Sequence, residues 1–194
     1  MDMNRLTQRS QKALQQAQEI ATRLGHQQVD GEHLPLALIS DPAGLAPRLL
    51  ELAGADVDAL AADLDADLDL RPKVSGTGQA AGQIYVSQRL KRLLDAAERE
   101  ARRLKDEYVS IEHLLLGLVE EGGTTGAGRL LAKHAATRDA VLGALTQVRG
   151  NQRVTSATPE GSYEALEKYG RDLVEDARAG GRSGQQGTAG GTAA

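Results

Sequence analysis

Two carboxylate–imidazole pairs stand out in this chain of 194 residues: Glu32-His33 within Val29-Asp30-Gly31-Glu32-His33-Leu34, and Glu112-His113 within Val109-Ser110-Ile111-Glu112-His113-Leu114. A carboxylate beside an imidazole can ligate a metal, shuttle a proton, or present charge to a partner. The wider sequence argues against the first two. The histidines, His26, His33, His113 and His134, never fall at the i, i+4 spacing of a helical zinc site, and there is no cysteine, so packing or capping near helix starts is their expected role. No Gly-x-Ser-x-Gly elbow or Ser–His–Asp set is present, so nucleophilic catalysis is not expected. Gly123-Thr124-Thr125-Gly126-Ala127-Gly128-Arg129-Leu130 has the glycine spacing of a phosphate loop, but Arg129 and Leu130 replace its Lys and Ser/Thr. No enzyme activity, cofactor or metal is therefore expected. Two readings of Glu32 and Glu112 remain: stabilisation of a helix start by a carboxylate in the first turn, or a carboxylate displayed to a partner's backbone or cationic group.

The pairs are positioned by a repeat. Glu112 follows Glu32 by 80 residues (112 − 32), and the same offset aligns Gln8-Arg9 with Gln88-Arg89, Leu14 with Leu94, Ala17 with Ala97, Ala21 with Ala101, Leu24 with Leu104, and Leu36 and Leu38 with Leu116 and Leu118. Self-similarity at a fixed offset marks a repeated supersecondary unit. In the first unit, apolar residues at steps of three and four predict a helix from Thr7, its N-cap, to Leu24, closed by Gly25. Asp30 is the expected cap of a short second helix, Asp41-Pro42 the expected start of a third that Gly54 closes, and Asp56 the cap of a fourth. Arg71 to Gly82 has linker composition. The second unit repeats the scheme, with Ser87 for Thr7, Ser110 capping the short helix, a turn at Gly122–Thr125, and Thr137 capping the last helix. Leu130-Leu131 answer Leu49-Leu50 at an offset of 81. A further helix is predicted from about 162 to 179. The Gly-rich stretch after it is too poor in apolar side chains to repay ordering.

Composition narrows the fold and the function. The chain has 40% hydrophobic but only 2% aromatic residues, with no Phe or Trp, so its core is built from Leu, Ala, Val and Ile, which suits close helix packing. A net charge of −4 and the lack of aromatic stacking platforms point away from nucleic acid. The cations of the Leu90–Leu104 helix, Arg89 among them, are interleaved with Asp95 and Glu98 at i, i+4 spacing and read as a solvated face. No apolar run approaches membrane-spanning length and no apolar leader begins the chain, so no membrane partner is expected and the expected location is cytoplasmic.

Tandem units of a long helix, Val-x-x-Glu-His-Leu and a Leu-Leu pair resemble the Clp repeat domain, the amino-terminal module of Clp-type AAA+ unfoldases. Val148-Arg149-Gly150-Asn151-Gln152-Arg153-Val154-Thr155-Ser156, followed by Tyr163-Glu164-Ala165-Leu166-Glu167-Lys168-Tyr169-Gly170-Arg171-Asp172-Leu173, is similar to the passage from this domain toward the first ATPase module in the disaggregase branch. The resemblance implies an all-α fold of two tandem, pseudo-twofold four-helix repeats plus a connector helix and disordered tail. The corresponding boundaries are 1–150 for the domain (repeats about 3–70 and 83–150), 151–179 for the connector and 180–194 for the tail. No Walker motif follows, so ATP-driven activity is expected to be absent from this polypeptide. The implied role is recognition of unfolded or aggregated client polypeptides, the alternative being a regulator or docking module for a full-length Clp ATPase or its adaptors. Residue by residue, the implied peptide-binding positions are Thr7, Asp106, Glu112 and, as the first-repeat counterpart of Glu112, Glu32. Thr7 reads equally as a plain N-cap. Some relatives recognise phosphoarginine through two such glutamates, which extends that alternative to Glu32 and Glu112.

Overall fold

The computed structural model describes residues 2–73 and 85–159, all within the first of two compact units, Met1–Pro159. The linker from residue 74, the helix expected near 162–179 and the tail lie outside the described residues.

Eight α-helices carry the described chain: α1 Gln8–Arg23, α2 Leu34–Ile39, α3 Leu45–Leu52, α4 Val57–Asp69, α5 Gln88–Arg103, α6 Ile111–Glu121, α7 Gly126–Lys133 and α8 Arg138–Arg149. The expected caps hold α1, α4, α5 and α8, where Thr7, Asp56, Ser87 and Thr137 each accept a backbone N–H three residues on. Two starts differ from expectation. Around Asp30 the chain forms a turn and α2 begins only at Leu34. Pro35, which has no N–H, cannot bond back to Gly31; Leu115 at the equivalent place can, and α6 accordingly starts at Ile111. Near Asp41 a turn again forms, with the Ala43 N–H on the Asp41 carboxylate and the Gly44 N–H on its carbonyl. An extended Gly44 then caps α3.

α6 is the axis of the core: every residue from Ile111 to Leu118 is buried. Around it pack Leu, Val, Ile and Ala from both halves of the chain. Ala13, Ala17 and Ala21 on α1, and Ala97 and Ala101 on α5, are buried, and such small residues permit close helix approach in a core without aromatic bulk.

A pair of two-residue parallel strands, absent from the all-α expectation, links the halves. In β1 (Gln28–Val29) and β2 (Tyr85–Val86), Val29 pairs with Val86. An isolated parallel bridge joins Leu6 to Val109. The offset of 80 maps Leu6 onto Val86 and Val29 onto Val109, so the two pairings are equivalents. Each half therefore sends the residues before its first helix to the segment before the second helix of the other half. The Thr7 N–H donates to the Val109 carbonyl and the Ser87 N–H to that of Val29, both at 3.0 Å.

The long helices end in a 6→1 backbone bond, His26 N–H to the Ala21 carbonyl and Asp106 N–H to the Ala101 carbonyl, and α3 and α7 end likewise at Ala55 and Ala136. This cap needs a left-handed residue. The first half supplies Gly25 and Gly54, whereas the second forces Lys105 (φ 60°) and Ala135 (φ 61°) into that region. Replacing Ala135 by Gly should stabilise the protein by about 1 kcal/mol. Gly128→Ala should destabilise it by about 1–3 kcal/mol, since a Cβ there would collide with the Gly122 backbone. Urea unfolding of both variants checks the two signs.

Candidate functional site

The helix ends place the polar residues. His26 and Asp106 occupy equivalent positions in the 6→1 caps, so both side chains turn into the interior, where they meet the imidazoles of the repeated motif. In the second half the Ser110 N–H donates to His113 Nδ1 at 2.9 Å, leaving Nε2 to carry the proton and donate to Asp106 Oδ2 at 2.9 Å. Arg149, the last residue of α8, bridges Asp106 Oδ2 at 2.8 Å and Glu112 Oε1 at 3.0 Å. The Val154 N–H closes on Asp106 Oδ1 at 2.8 Å. Burial alone would raise the Asp106 pKa, but the His113, Val154 and Arg149 donors outweigh it and hold the carboxyl below its ordinary range. Glu112 is wholly buried, and its Oε2 has no hydrogen-bond partner among the described residues.

The first half builds a different interior on the same positions. His26 stands for Asp106, and Leu68 for Arg149 (offset 81 in the last helix). The Asp30 N–H meets His33 Nδ1 at 3.0 Å, and His33 Nε2 meets His26 Nδ1 at 2.8 Å. His26 Nε2 is buried with no hydrogen-bond partner among the described residues. Glu32, instead of joining this pair, crosses to the other half. Its carboxylate accepts the Gly126 N–H at 3.1 Å and the Ala127 N–H, capping α7, and pairs with Arg89 at 2.6 Å and Arg71 at 3.1 Å. A Cβ on Gly126 would stand 3.2 Å from that carboxylate. The glycines that imitate a phosphate loop thus admit the chain's own Glu32 to a helix N-terminus and bring α7 onto the Gly122 backbone. Arg89 also grips both oxygens of Glu121, at 3.0 and 2.7 Å. The solvated-face reading fails for Arg89, although Glu98–Arg102 is an i, i+4 surface pair.

Thr7 is the α1 cap: its hydroxyl oxygen accepts the Ser10 N–H at 3.3 Å and its O–H donates to Ser10 Oγ at 3.0 Å. The Leu6–Val109 bridge places it beside the segment leading to Glu112. Thr7, Asp106 and Glu112 therefore share one region, whereas Glu32 belongs to the Arg89 clasp. All four side chains are buried. Sequence reasoning missed Arg149, Arg71 and the inward role of Arg89. The one signal for Arg149 was a cation on the stripe position that Leu68 fills in the first unit. Among the described residues no group of three or more His, Asp or Glu is arranged to hold a metal, and no helix is long and apolar enough to cross a membrane.

An exposed apolar cleft of about 480 Å³ lies between α1 and α5 beside the strand pair. Met3, Leu14, Val29, Val86, Leu90 and Leu94 line it, with Gln18, Lys91 and Asp95 completing the wall. Met3 and Val86 are about half exposed, and Tyr85, adjacent in β2, is 63% exposed.

The paired histidines of the first half, His26 and His33, predict a pH response. Burial, with Lys73 and Arg71 adding repulsion at His26, lowers the His26 pKa, and burial likewise lowers that of His33. The unfolded chain then takes up protons first as pH falls below the ordinary imidazole value of about 6.5. The stability these groups contribute is complete above that pH and lost below it, with a limiting slope of about 1.4 kcal/mol per pH unit for each histidine. Urea midpoints should fall from neutral pH into the mildly acidic range; equal midpoints would contradict the assignment.

Residues 5–134 match the family described as the Clp repeat (R) N-terminal domain. The chain is 54% identical over 180 residues to the chaperone protein ClpB of Nitratidesulfovibrio vulgaris, covering 93% of this chain and 21% of that protein. It is 44% identical to ClpB of Bacillus cereus over the same coverage, so it spans about a fifth of the length of these relatives. Its fold is similar to the crystal structure of the Hsp104 N-terminal domain from Candida albicans, with TM-score 0.67, 22% identity, and coverage of 79% of this chain and 97% of that one. It is also similar to the N-terminal domain of ClpD from Arabidopsis thaliana, with TM-score 0.57, 28% identity, and coverage of 77% and 98%.

Proposed function

The chain belongs to the Clp repeat N-terminal domain family, and from that premise we propose that it is a non-enzymatic chaperone module that binds exposed apolar segments of unfolded or aggregated polypeptides. The exposed cleft between α1 and α5 carries this reading. Apolar side chains line it, among them the exposed Met3 and Val86, which suits the apolar stretches that folding hides. A shallow surface of this kind buries less than roughly 1,200 Å² with a client, so the complex is transient. Affinity is about micromolar or weaker, because association and ordering costs consume much of the gain.

Thr7, Asp106, Glu112 and Glu32 are proposed as the polar residues of client recognition, in unequal roles. Glu112 Oε2 is the carboxylate oxygen among them with no partner. Its neighbour Ile111 lines a cleft of about 230 Å³ with Arg9, Lys12 and the first residues of α3. Glu112, wholly buried, is therefore assigned to accept a donor from the client as the start of α6 shifts to expose it. Asp106 and Thr7 hold its surroundings in place, and Glu32, saturated by α7, Arg89 and Arg71, holds the two halves together.

Isotope-labelled protein titrated with a permanently unfolded client should show shifts at Leu14, Val86, Leu90 and Leu94; unchanged spectra at millimolar client would remove the proposal. Met3→Ser with Val86→Ser should weaken binding about tenfold, some 1.4 kcal/mol. Glu112→Gln sets an amide donor where a client must find an acceptor, so affinity should fall about tenfold or more. Glu32→Gln should spare affinity and instead cost about 1.5–3 kcal/mol of stability through the α7 cap and the Arg89 pair. Equal affinities in the two variants would exclude Glu112 from the site.

A further inference from the structure

We infer that the first repeat carries a second docking surface, apart from the α1–α5 cleft, that takes a basic amphipathic segment of a partner polypeptide. A groove of about 570 Å³ runs between α1, α2 and α4 over a floor of Ile20, Leu36, Ile39 and Ala61. Across Ile39 and Ala61 it adjoins a second hollow of about 300 Å³, floored by Pro47, Ala55 and Val57. Two adjoining apolar hollows along a helix offer what the apolar stripe of an amphipathic helix needs.

The rim decides the charge of the occupant. Glu19 and Asp65 border the first hollow and Glu51 and Asp58 the second, all four exposed and none in an ion pair with another described residue. Among the described residues, Arg23 is the one cation lining either hollow. Of the five aspartates of α4, Asp58 and Asp65 face the hollows, whereas Asp63, Asp67 and Asp69 pair with Lys133, Arg71 and Lys73. An apolar floor with an uncompensated acidic rim favours a partner with Leu-like side chains on one face and Lys or Arg beside them.

The second repeat shows that the hollow is not a necessary product of the fold. There Glu100 stands for Ile20, Arg138 for Val57 and Leu142 for Ala61. Glu100 is wholly buried, bonded to Arg138 at 2.8 Å and to Arg103 at 2.5 Å. The same helix junction is thus filled by an ion-pair cluster and a larger side chain in one repeat. It is left open, apolar and acid-rimmed in the other.

The test is fluorescence anisotropy of a dye-labelled amphipathic peptide made only of Leu and Lys, titrated with the full 194-residue chain, beside a peptide of the same pattern made of Leu and Glu. The Leu/Lys peptide should bind saturably and more weakly as salt rises. The combined Glu51→Lys, Asp58→Lys and Asp65→Lys variant should remain folded, with a slightly lower melting temperature from the loss of Asp58 in the first turn of α4, and bind about tenfold or more weakly. Val57→Arg with Ala61→Leu, which copies the second repeat, should also abolish binding, whereas Val86→Ser in the α1–α5 cleft should leave it intact. Equal binding of the Leu/Glu peptide, or undiminished binding by the triple variant, would overturn the inference. So would loss of binding on Val86→Ser alone, which places the peptide in the other cleft, or a concentration-dependent dimer that the triple variant abolishes, which gives the groove to a second copy.

Discussion

The structure depends on a reciprocal exchange of backbone between its halves. Leu6 and Thr7 reach across to Val109, and Val86 and Ser87 reach across to Val29. Each exchange consists of few hydrogen bonds, but it fixes the residue that caps the next long helix, because Thr7 and Ser87 bond across with their N–H while their hydroxyl oxygens accept from Ser10 and Leu90. The direction in which α1 and α5 leave the crossing follows from those caps. So does the apolar cleft between them, which neither half could form alone. Four-helix units of this size bury too little surface to be secure singly, and the exchange gives them a common core around α6.

Charged groups reinforce the same connection at unequal cost. Arg89 and Glu32 join the halves where water still reaches, with Arg89 about a fifth exposed, and extra donors satisfy the carboxylate. In the second half, Asp106, His113, Arg149 and Glu112 form a network almost wholly removed from water. Such a network stabilises little relative to well-packed hydrophobes, but losing one member strands the others. The first half, with His26 and Leu68 in place of Asp106 and Arg149, avoids that cost and leaves two neutral imidazoles facing each other. Glu112 Oε2 is the point at which the satisfied network stops. An orphaned buried acceptor is uncommon.

The repeats have diverged by exchanging interior and exterior chemistry at matched positions. Where one half has a glycine to end a helix, the other holds Lys105 or Ala135 in the left-handed region. Where one half leaves an apolar groove, the other buries Glu100 with two arginines. A duplicated fold preserves helix packing because most core positions are small aliphatic residues that tolerate exchange. Its surfaces and polar interiors are free to specialise, which is how near-symmetric halves come to present unlike surfaces.

The sequence by itself determined the eight described helices, their order and most of their caps. Apolar spacing and a hydroxyl or carboxylate before a helix are local signals, and α1, α4, α5 and α8 begin at the residues those signals name. It also determined the doubling, since Glu32-His33 and Glu112-His113 stay in register over a constant offset. Tertiary structure decided the rest. Strands of two residues have no detectable period, so β1 and β2 exist only because the opposite half presents Val29 to Val86. The partners of the candidate residues were equally hidden: Arg149 lies 43 residues from Asp106, and Arg89 lies 57 from Glu32. Nothing in the neighbourhood of an arginine states which distant carboxylate will face it. A helix period shows which side of a residue is buried; only the packed fold settles what it meets there.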